Sequence, residues 1–161
     1  TGSSYAFRII NSISLKEYPT ENPWRIRLAL RKSRMRKGKY LLNGCLIFAV
    51  DFDGTLVEDG HWPEVKPFKD TARRLRILES LRLQGHKVIL WTCRNGKALD
   101  SALRFLKEDY YVEFDAVNEN IPEILDMFEG KDSRKITADY YIDEAAGGFD
   151  KLEKLLTSEG D

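Results

Sequence analysis

The chain has 161 residues, of which 42% are hydrophobic and 32% are charged. This length and composition are typical of one globular domain with a sizeable core, and they argue against a disordered chain. Basic and acidic residues number 26 each, so the net charge of zero indicates no particular class of partner.

The sequence contains no signal for a membrane or for secretion. No apolar segment approaches the roughly 20 residues that span a bilayer, and no charged-then-apolar signal peptide opens the chain. The two cysteines, Cys45 and Cys93, fall in or beside predicted core strands. We expect them to be buried thiols rather than a disulfide, which favours a cytoplasmic protein without membrane contact.

Residues 1–44 lack the alternation of strands and helices that follows, so we predict an extension over 1–44 and a separate α/β domain over 45–161. Between Glu21 and Asp51 there are eight basic residues and no acidic one. Three interpretations stay open. The segment binds the phosphates of nucleic acid, or it exposes its charges to solvent while its apolar side chains pack on the domain, or it lies over a ligand site of the domain. The eight basic residues are Arg25, Arg27, Arg31, Lys32, Arg34, Arg36, Lys37 and Lys39.

The unbroken apolar run over 45–50 predicts a strand that is buried on both faces, as in a parallel sheet covered by helices. Asp51 and Asp53 follow at the carboxyl end of this strand, which is where open α/β sheets bind ligands. Carboxylates there can ligate a hard cation and attack phosphorus. Gly54 allows a sharp turn, and Thr55 offers a hydroxyl and a backbone N–H to an anion.

The rest of the chain alternates between strand and helix patterns. Such an alternation predicts an α/β fold with a doubly wound parallel sheet. Thr92 follows one predicted strand and Asp143 with Glu144 follows the last, so polar groups stand at three strand ends. The predicted helices cover 70–84, 98–109, 121–128 and 149–156, and the predicted strands cover 87–91, 112–117 and 136–142.

These strand ends resemble motifs I, II and IV of the haloacid dehalogenase (HAD) superfamily. The residues that carry the resemblance are Asp51-Phe52-Asp53-Gly54-Thr55-Leu56, Thr92, and Asp143-Glu144, in that order, within 45–156. The chain is similar to the small bacterial and phage hydrolases of this superfamily. The segment over 57–67 is too short for a cap domain, so the resemblance implies an uncapped HAD-like Rossmannoid fold.

The resemblance also implies roles for individual residues. Asp51 would be the nucleophile that forms an aspartyl-phosphate, and Asp53 would protonate the leaving oxygen and then take a proton from water. Thr92 would donate its hydroxyl to a phosphoryl oxygen. The implied Mg²⁺ ligands are the Asp51 carboxylate, the Asp53 backbone carbonyl, the Asp143 carboxylate and, through water, Glu144.

One element of the HAD pattern is missing, namely the motif III lysine that binds the phosphoryl group. The loop over 118–122 contains no cation. If Lys135 begins an extended strand, it lies about 25 Å from the Asp143 end and therefore at the wrong edge. The substitutes are Arg94, Lys97, Lys131 or a basic residue of the extension, and we prefer Arg94 because its fork can bind phosphate in two places.

The favoured prediction is a Mg²⁺-dependent phosphomonoesterase that acts on a nucleotide, a sugar phosphate or a nucleic-acid end. The alternative is a binding or structural protein that uses its basic extension to engage nucleic acid or a protein assembly. A receiver-like domain is disfavoured by Gly54-Thr55 and by the late Asp143-Glu144. His61 and Trp62 either line the entrance to the substrate site or pack on the core. Because no cap domain is expected, a small substrate would be enclosed by a second copy of the chain or by the extension.

Overall fold

The computed structural model describes residues 37–157. Within this part of the chain, strands and helices alternate in the predicted order. The strands are β1 (Ile47–Val50), β2 (Lys87–Leu90), β3 (Ala116–Val117) and β4 (Tyr140–Ile142). The helices are α1 (Thr71–Leu83), α2 (Gly96–Tyr110), α3 (Pro122–Met127) and α4 (Gly148–Thr157), and a 3₁₀ turn (Glu144–Ala146) precedes α4.

The four strands form one parallel sheet in the order β3-β2-β1-β4. The central strand β1 ends at Val50, which pairs with Leu90 of β2 on one side and with Ile142 of β4 on the other. The carboxyl ends of these three strands are therefore level with one another. The structure confirms an α/β fold in which helices flank a parallel sheet.

Both faces of the sheet are covered, which explains the continuous apolar sequence of β1. All four residues of β1 are at most 1% exposed. Phe48 and Val50 pack in a cluster with side chains of α1, α2 and α4, whereas Ile47 and Ala49 pack in a second cluster with side chains of α3. Each fully buried large apolar side chain contributes about 1.5 to 3 kcal/mol, so the position of β1 is strongly determined.

The predicted strand over 136–142 is wrong in its first four residues, since β4 begins only at Tyr140. Ile136 and Ala138 are buried in the second cluster without belonging to the ladder. The Thr137 N–H donates to the Asn120 side-chain oxygen at 2.7 Å instead. The alternation of apolar residues at Ile136 and Ala138 therefore reflects burial and not pairing in the sheet. The strand predicted over 112–117 likewise shortens to β3.

The prediction of two buried thiols is wrong for Cys93. Both cysteines are free, but Cys93 is exposed and Cys45 is partly buried. Cys93 lies beyond the end of β2, where the chain leaves the sheet. Among the described helices, none combines the length and the apolar character that a bilayer span requires.

Most of the predicted basic segment, residues 24–36, lies outside the described residues, as does the rest of 1–36. The end of the extension does contact the domain. The Lys39 N–H donates to Asp139 Oδ1 at 2.8 Å, and Tyr40 and Leu41 pack against the second cluster. The boundary at Gly44 stays a prediction.

Candidate active site

Asp51 and Asp143 stand next to each other at the ends of β1 and β4. The Asp51 N–H donates to the Ile142 carbonyl at 2.9 Å, and Asp143 Oδ1 accepts from the Ala145 N–H at 2.9 Å. The latter bond caps the 3₁₀ turn and fixes the Asp143 side chain. Since only one carboxylate oxygen makes the cap, the other can accept a ligand.

The surroundings of Asp51 disfavour its charge. Burial, together with the negative charges of Asp143 and Asp53, raises the pKa of Asp51 to about 6, against hydrogen bonds from the Phe52 N–H and the Thr55 hydroxyl that lower it. Burial is the largest of these causes. The Thr55 hydroxyl donates to Asp51 Oδ2 at 3.3 Å. A bound cation would offset the negative charges of these three carboxylates.

Glu144 reaches the loop that follows Asp53. Gly54 has a φ of +77°, and a Cβ atom at this position would lie 2.2 Å from Glu144 Oε2. The carboxylate of Glu144 therefore rests against the backbone of Gly54, and a larger residue there would displace it. The structure thus brings four acidic residues to one edge of the sheet, counting Asp51, Asp53, Asp143 and Glu144.

Arg94 does not have the free fork that we predicted for phosphate binding. Its Nε and Nη2 donate to the two carboxylate oxygens of Asp53 at 2.8 and 2.7 Å. Nη1 donates to the carbonyls of Pro63 at 2.8 Å and Ala98 at 3.3 Å, and Nη2 also donates to the Glu64 carbonyl at 2.7 Å. These bonds account for all five guanidinium N–H groups. The side chain is 1% exposed, so Arg94 binds Asp53, the loop that contains Pro63 and Glu64, and helix α2 instead of a phosphate.

Thr92 is held at the end of β2 by Asn118. The Thr92 N–H donates to Asn118 Oδ1 at 2.8 Å, and Thr92 Oγ1 accepts from the Arg94 N–H at 3.1 Å. The hydroxyl hydrogen of Thr92 can still be donated to an anion. Sequence reasoning missed Asn118, which has a φ of +53°. An asparagine directly after a strand was the available signal, since asparagine tolerates this conformation.

Three lysines are the candidates for the cation that binds the phosphoryl group. Lys97 is exposed at the second position of α2, the helix that follows β2. Lys131 is 84% exposed and lies 4.0 Å from Glu129, a surface pair that contributes little. Lys135 is also exposed. Our exclusion of Lys135 assumed an extended strand from 136 to 142, and that assumption is wrong, so Lys135 becomes a candidate again.

The donor atoms at this edge suit Mg²⁺ with bound water. Among residues 37–157, no three histidine, cysteine, aspartate or glutamate side chains are grouped so that they could hold a metal by themselves. The implied site needs only the carboxylates of Asp51 and Asp143 with the backbone carbonyl of Asp53. Mg²⁺ is commonly held by one or two carboxylates and keeps several waters. The negative charges of Asp143 and Asp53 add to burial in raising the pKa of Asp51, and a cation at this edge would act in the opposite direction.

The loop over 58–67 is connected to Asp53 by hydrogen bonds from Arg94. At the surface, Glu58 lies 3.0 Å from Lys66 Nζ and 3.3 Å from His61 Nε2. Trp62 is 58% exposed, which excludes packing of its indole in the core. The next residue, Pro63, is bound by Arg94 through its carbonyl. The exposed indole of Trp62 is therefore next to a residue that is hydrogen-bonded to Arg94, the partner of Asp53.

The fold and the site together place this chain in the class of α/β proteins that carry a polar site at the carboxyl ends of a parallel sheet. A scan of protein-family models and a search of curated proteins found no match. The chain is similar to a solved structure from Bacteroides thetaiotaomicron that is described as a conserved protein, with 30% identity and a TM-score of 0.57. The similarity covers 73% of this chain and 93% of that one. The chain therefore belongs to the family of that conserved protein, whose description states no activity.

Proposed function

We propose that this protein is a Mg²⁺-dependent phosphomonoesterase with a doubly wound, HAD-like fold. The observation that carries the proposal is the pairing of Asp51 with Asp143 at adjacent strand ends, close enough for Asp143 to help raise the pKa of Asp51 to about 6. Thr92, at the end of the strand on the other side of β1, supplies a hydroxyl donor. The combination fits a site that receives a phosphate and a cation together.

In the first half of the reaction, a carboxylate oxygen of Asp51 attacks phosphorus in line with the ester oxygen. The new bond gives an aspartyl-phosphate, and the bond between phosphorus and the ester oxygen breaks. Asp53 gives its proton to the departing oxygen, which leaves as an alcohol. Thr92 donates its hydroxyl hydrogen to a phosphoryl oxygen as negative charge develops there.

In the second half, water attacks the aspartyl-phosphate. Asp53, now a carboxylate, accepts a proton from this water as the new bond to phosphorus forms. The bond between phosphorus and the Asp51 oxygen breaks, which regenerates the Asp51 carboxylate and releases inorganic phosphate. Asp53 therefore has to keep one orientation in both steps.

Asp51, Asp143 and the Asp53 carbonyl would hold Mg²⁺, which offsets the charge that a carboxylate and a phosphate dianion bring together. Glu144, which lies against Gly54, would act on this shell through water. The lysines at 97, 131 and 135 are the candidates for an additional positive charge on the phosphoryl group.

The substrate is proposed to be a phosphate ester with an accessible end. Between Asp51 and Asp70 the described chain has isolated bridges, at 53 with 57 and at 57 with 67, but no helix or longer strand. The edge of the sheet is therefore not covered by a cap within residues 37–157. A nucleotide, a sugar phosphate or a nucleic-acid end would fit such a site, and the exposed Trp62 favours a leaving group with a flat face.

The test is release of phosphate from an aryl phosphate, with Mg²⁺ and with chelator. We expect turnover that requires the metal and is lost in Asp51→Asn but kept in Asp100→Asn, a matched change at an exposed position of α2. Lys97→Ala and Lys135→Ala would then identify the phosphate-binding cation by a raised KM. If the wild type binds Mg²⁺ without turnover, the alternative of a binding protein gains support.

A further inference from the structure

We infer that Arg94 is a positioning residue that holds the proton-transferring carboxylate of Asp53 in one orientation and joins it to the loop over 58–67. This inference rests on the proposed phosphatase function. It assigns Arg94 to the leaving-group side of the reaction and not to the phosphoryl group.

The geometry is that of a closed fork. Nε and Nη2 of Arg94 each donate to a different oxygen of Asp53, at 2.8 and 2.7 Å. Two parallel bonds between planar groups fix both the position and the rotation of the carboxylate. The guanidinium itself cannot turn, because it lies over the Phe52 ring, 5.1 Å from its centroid, and is 1% exposed.

The remaining N–H groups of Arg94 bind backbone. They bridge the carbonyls of Pro63 and Glu64 in the loop and of Ala98 in α2. A lysine has three donors and no fork, so it cannot make these five bonds. The identity of Arg94 is therefore explained by the need to bind a carboxylate and three carbonyls together.

The bonds from Arg94 do not occupy every lone pair of the Asp53 carboxylate. Each carboxylate oxygen has a second lone pair beside the one that accepts from Arg94. The proton that Asp53 gives to the ester oxygen, and later takes from water, can reside there. Correct rotation of Asp53 matters most when the leaving oxygen is strongly basic, because an alkoxide needs the proton and an aryl oxide needs it far less.

The experiment compares an alkyl phosphate with an aryl phosphate for the wild type, Arg94→Lys, Arg94→Gln, Asp53→Asn and each double variant. We expect the Arg94 variants to lose about 100-fold in kcat/KM on the alkyl phosphate and about tenfold or less on the aryl phosphate, the pattern of a lost general acid. The ratio kcat/KM is compared because it reports the step in which the ester oxygen leaves, whereas hydrolysis of the aspartyl-phosphate is common to both esters. Because Asp53→Asn removes the same step, the double variants should be no slower than Asp53→Asn alone. Added guanidinium ion at millimolar concentration should partly restore Arg94→Gln.

The matched control is Arg82→Gln, which removes another arginine with a two-bonded carboxylate partner, Asp115, and a backbone carbonyl partner at Glu113. It should lower stability without changing the ratio of alkyl to aryl turnover. If one of the two Arg94 variants does not fold, the comparison of the two esters is made with the other variant. Rescue by guanidinium ion applies where that variant is Arg94→Gln. Equal losses of kcat/KM on both esters, or double variants that are slower than Asp53→Asn alone, would overturn the inference. A wild type without Mg²⁺-dependent turnover would overturn the proposed function itself.

Discussion

Replacing Asp51 by asparagine should stabilise the metal-free protein while abolishing its activity. The pKa of Asp51 rises from 3.8 to about 6, chiefly through burial. Each pH unit is worth about 1.4 kcal/mol, so the ionised carboxylate costs at most about 3 kcal/mol at neutral pH. Solvent screening of this half-buried group reduces the figure, and we expect a gain of about 1 to 2 kcal/mol in Asp51→Asn.

The sign of the effect depends on pH. Because the folded-state pKa is raised, the contribution of Asp51 to stability is full below pH 3.8 and is lost as the pH rises through about 6. The gain in Asp51→Asn should therefore be present at pH 7.5 and vanish near pH 4. In chelator at pH 7.5, the melting temperature should rise by about 3 to 6 °C for a chain of this size.

Calorimetry or denaturant titration checks this prediction, with Asp100→Asn as the control for a removed charge. The control should change the free energy of unfolding by less than about 0.5 kcal/mol. Mg²⁺ should stabilise the wild type and not Asp51→Asn, since a ligand stabilises only the protein that binds it. A destabilised Asp51→Asn in chelator, or a gain that is equal at pH 4 and pH 7.5, would refute the reasoning.

Two further predictions use matched or titratable positions. Gly54→Ala and Gly60→Ala force alanine into φ values of +77° and +82°, so both variants should lose about 1 to 2 kcal/mol in stability. Only the new methyl group at position 54 would meet Glu144, so only Gly54→Ala should lose at least tenfold in Mg²⁺-dependent turnover. Burial lowers the pKa of His86 against the charge of Asp139, so acid should destabilise the fold as the pH falls below about 6.5, by at most about 1.4 kcal/mol per pH unit. His86→Asn, which keeps a hydrogen-bond acceptor, should flatten this dependence in denaturant titrations, whereas an unchanged slope would assign it to another group.

The parts of the fold that could be predicted are those with a strong local pattern. β1 is evident from a run of apolar residues, because both faces of a covered parallel strand are buried. The helices predicted over 70–84 and 98–109 end within two residues of α1 and α2. The acidic strand ends were predictable for the same reason, since parallel strands that finish level place their next residues together.

Other features depend on contacts between distant parts of the chain. Arg94 was chosen as a phosphate ligand because its fork was assumed to be free, but its carboxylate partner, Asp53, is 41 positions away in the sequence. The turn at Asn118 and its bond to Thr92 are likewise set by tertiary contacts. The segment over 136–138 has the alternation of a strand, yet Ile136 and Ala138 are buried by packing on the sheet, and backbone hydrogen bonds to β1 begin only at Asp139.

The most direct test of the central claim is to trap the phosphoryl group on Asp51. The protein is mixed with an aryl phosphate and Mg²⁺, quenched during turnover, and treated with borohydride, which reduces an acyl phosphate to an alcohol. Peptide mass spectrometry should then find homoserine at position 51, only when both substrate and Mg²⁺ were present. Phosphate release with unmodified Asp51, or with the modification at another carboxylate, would contradict the account.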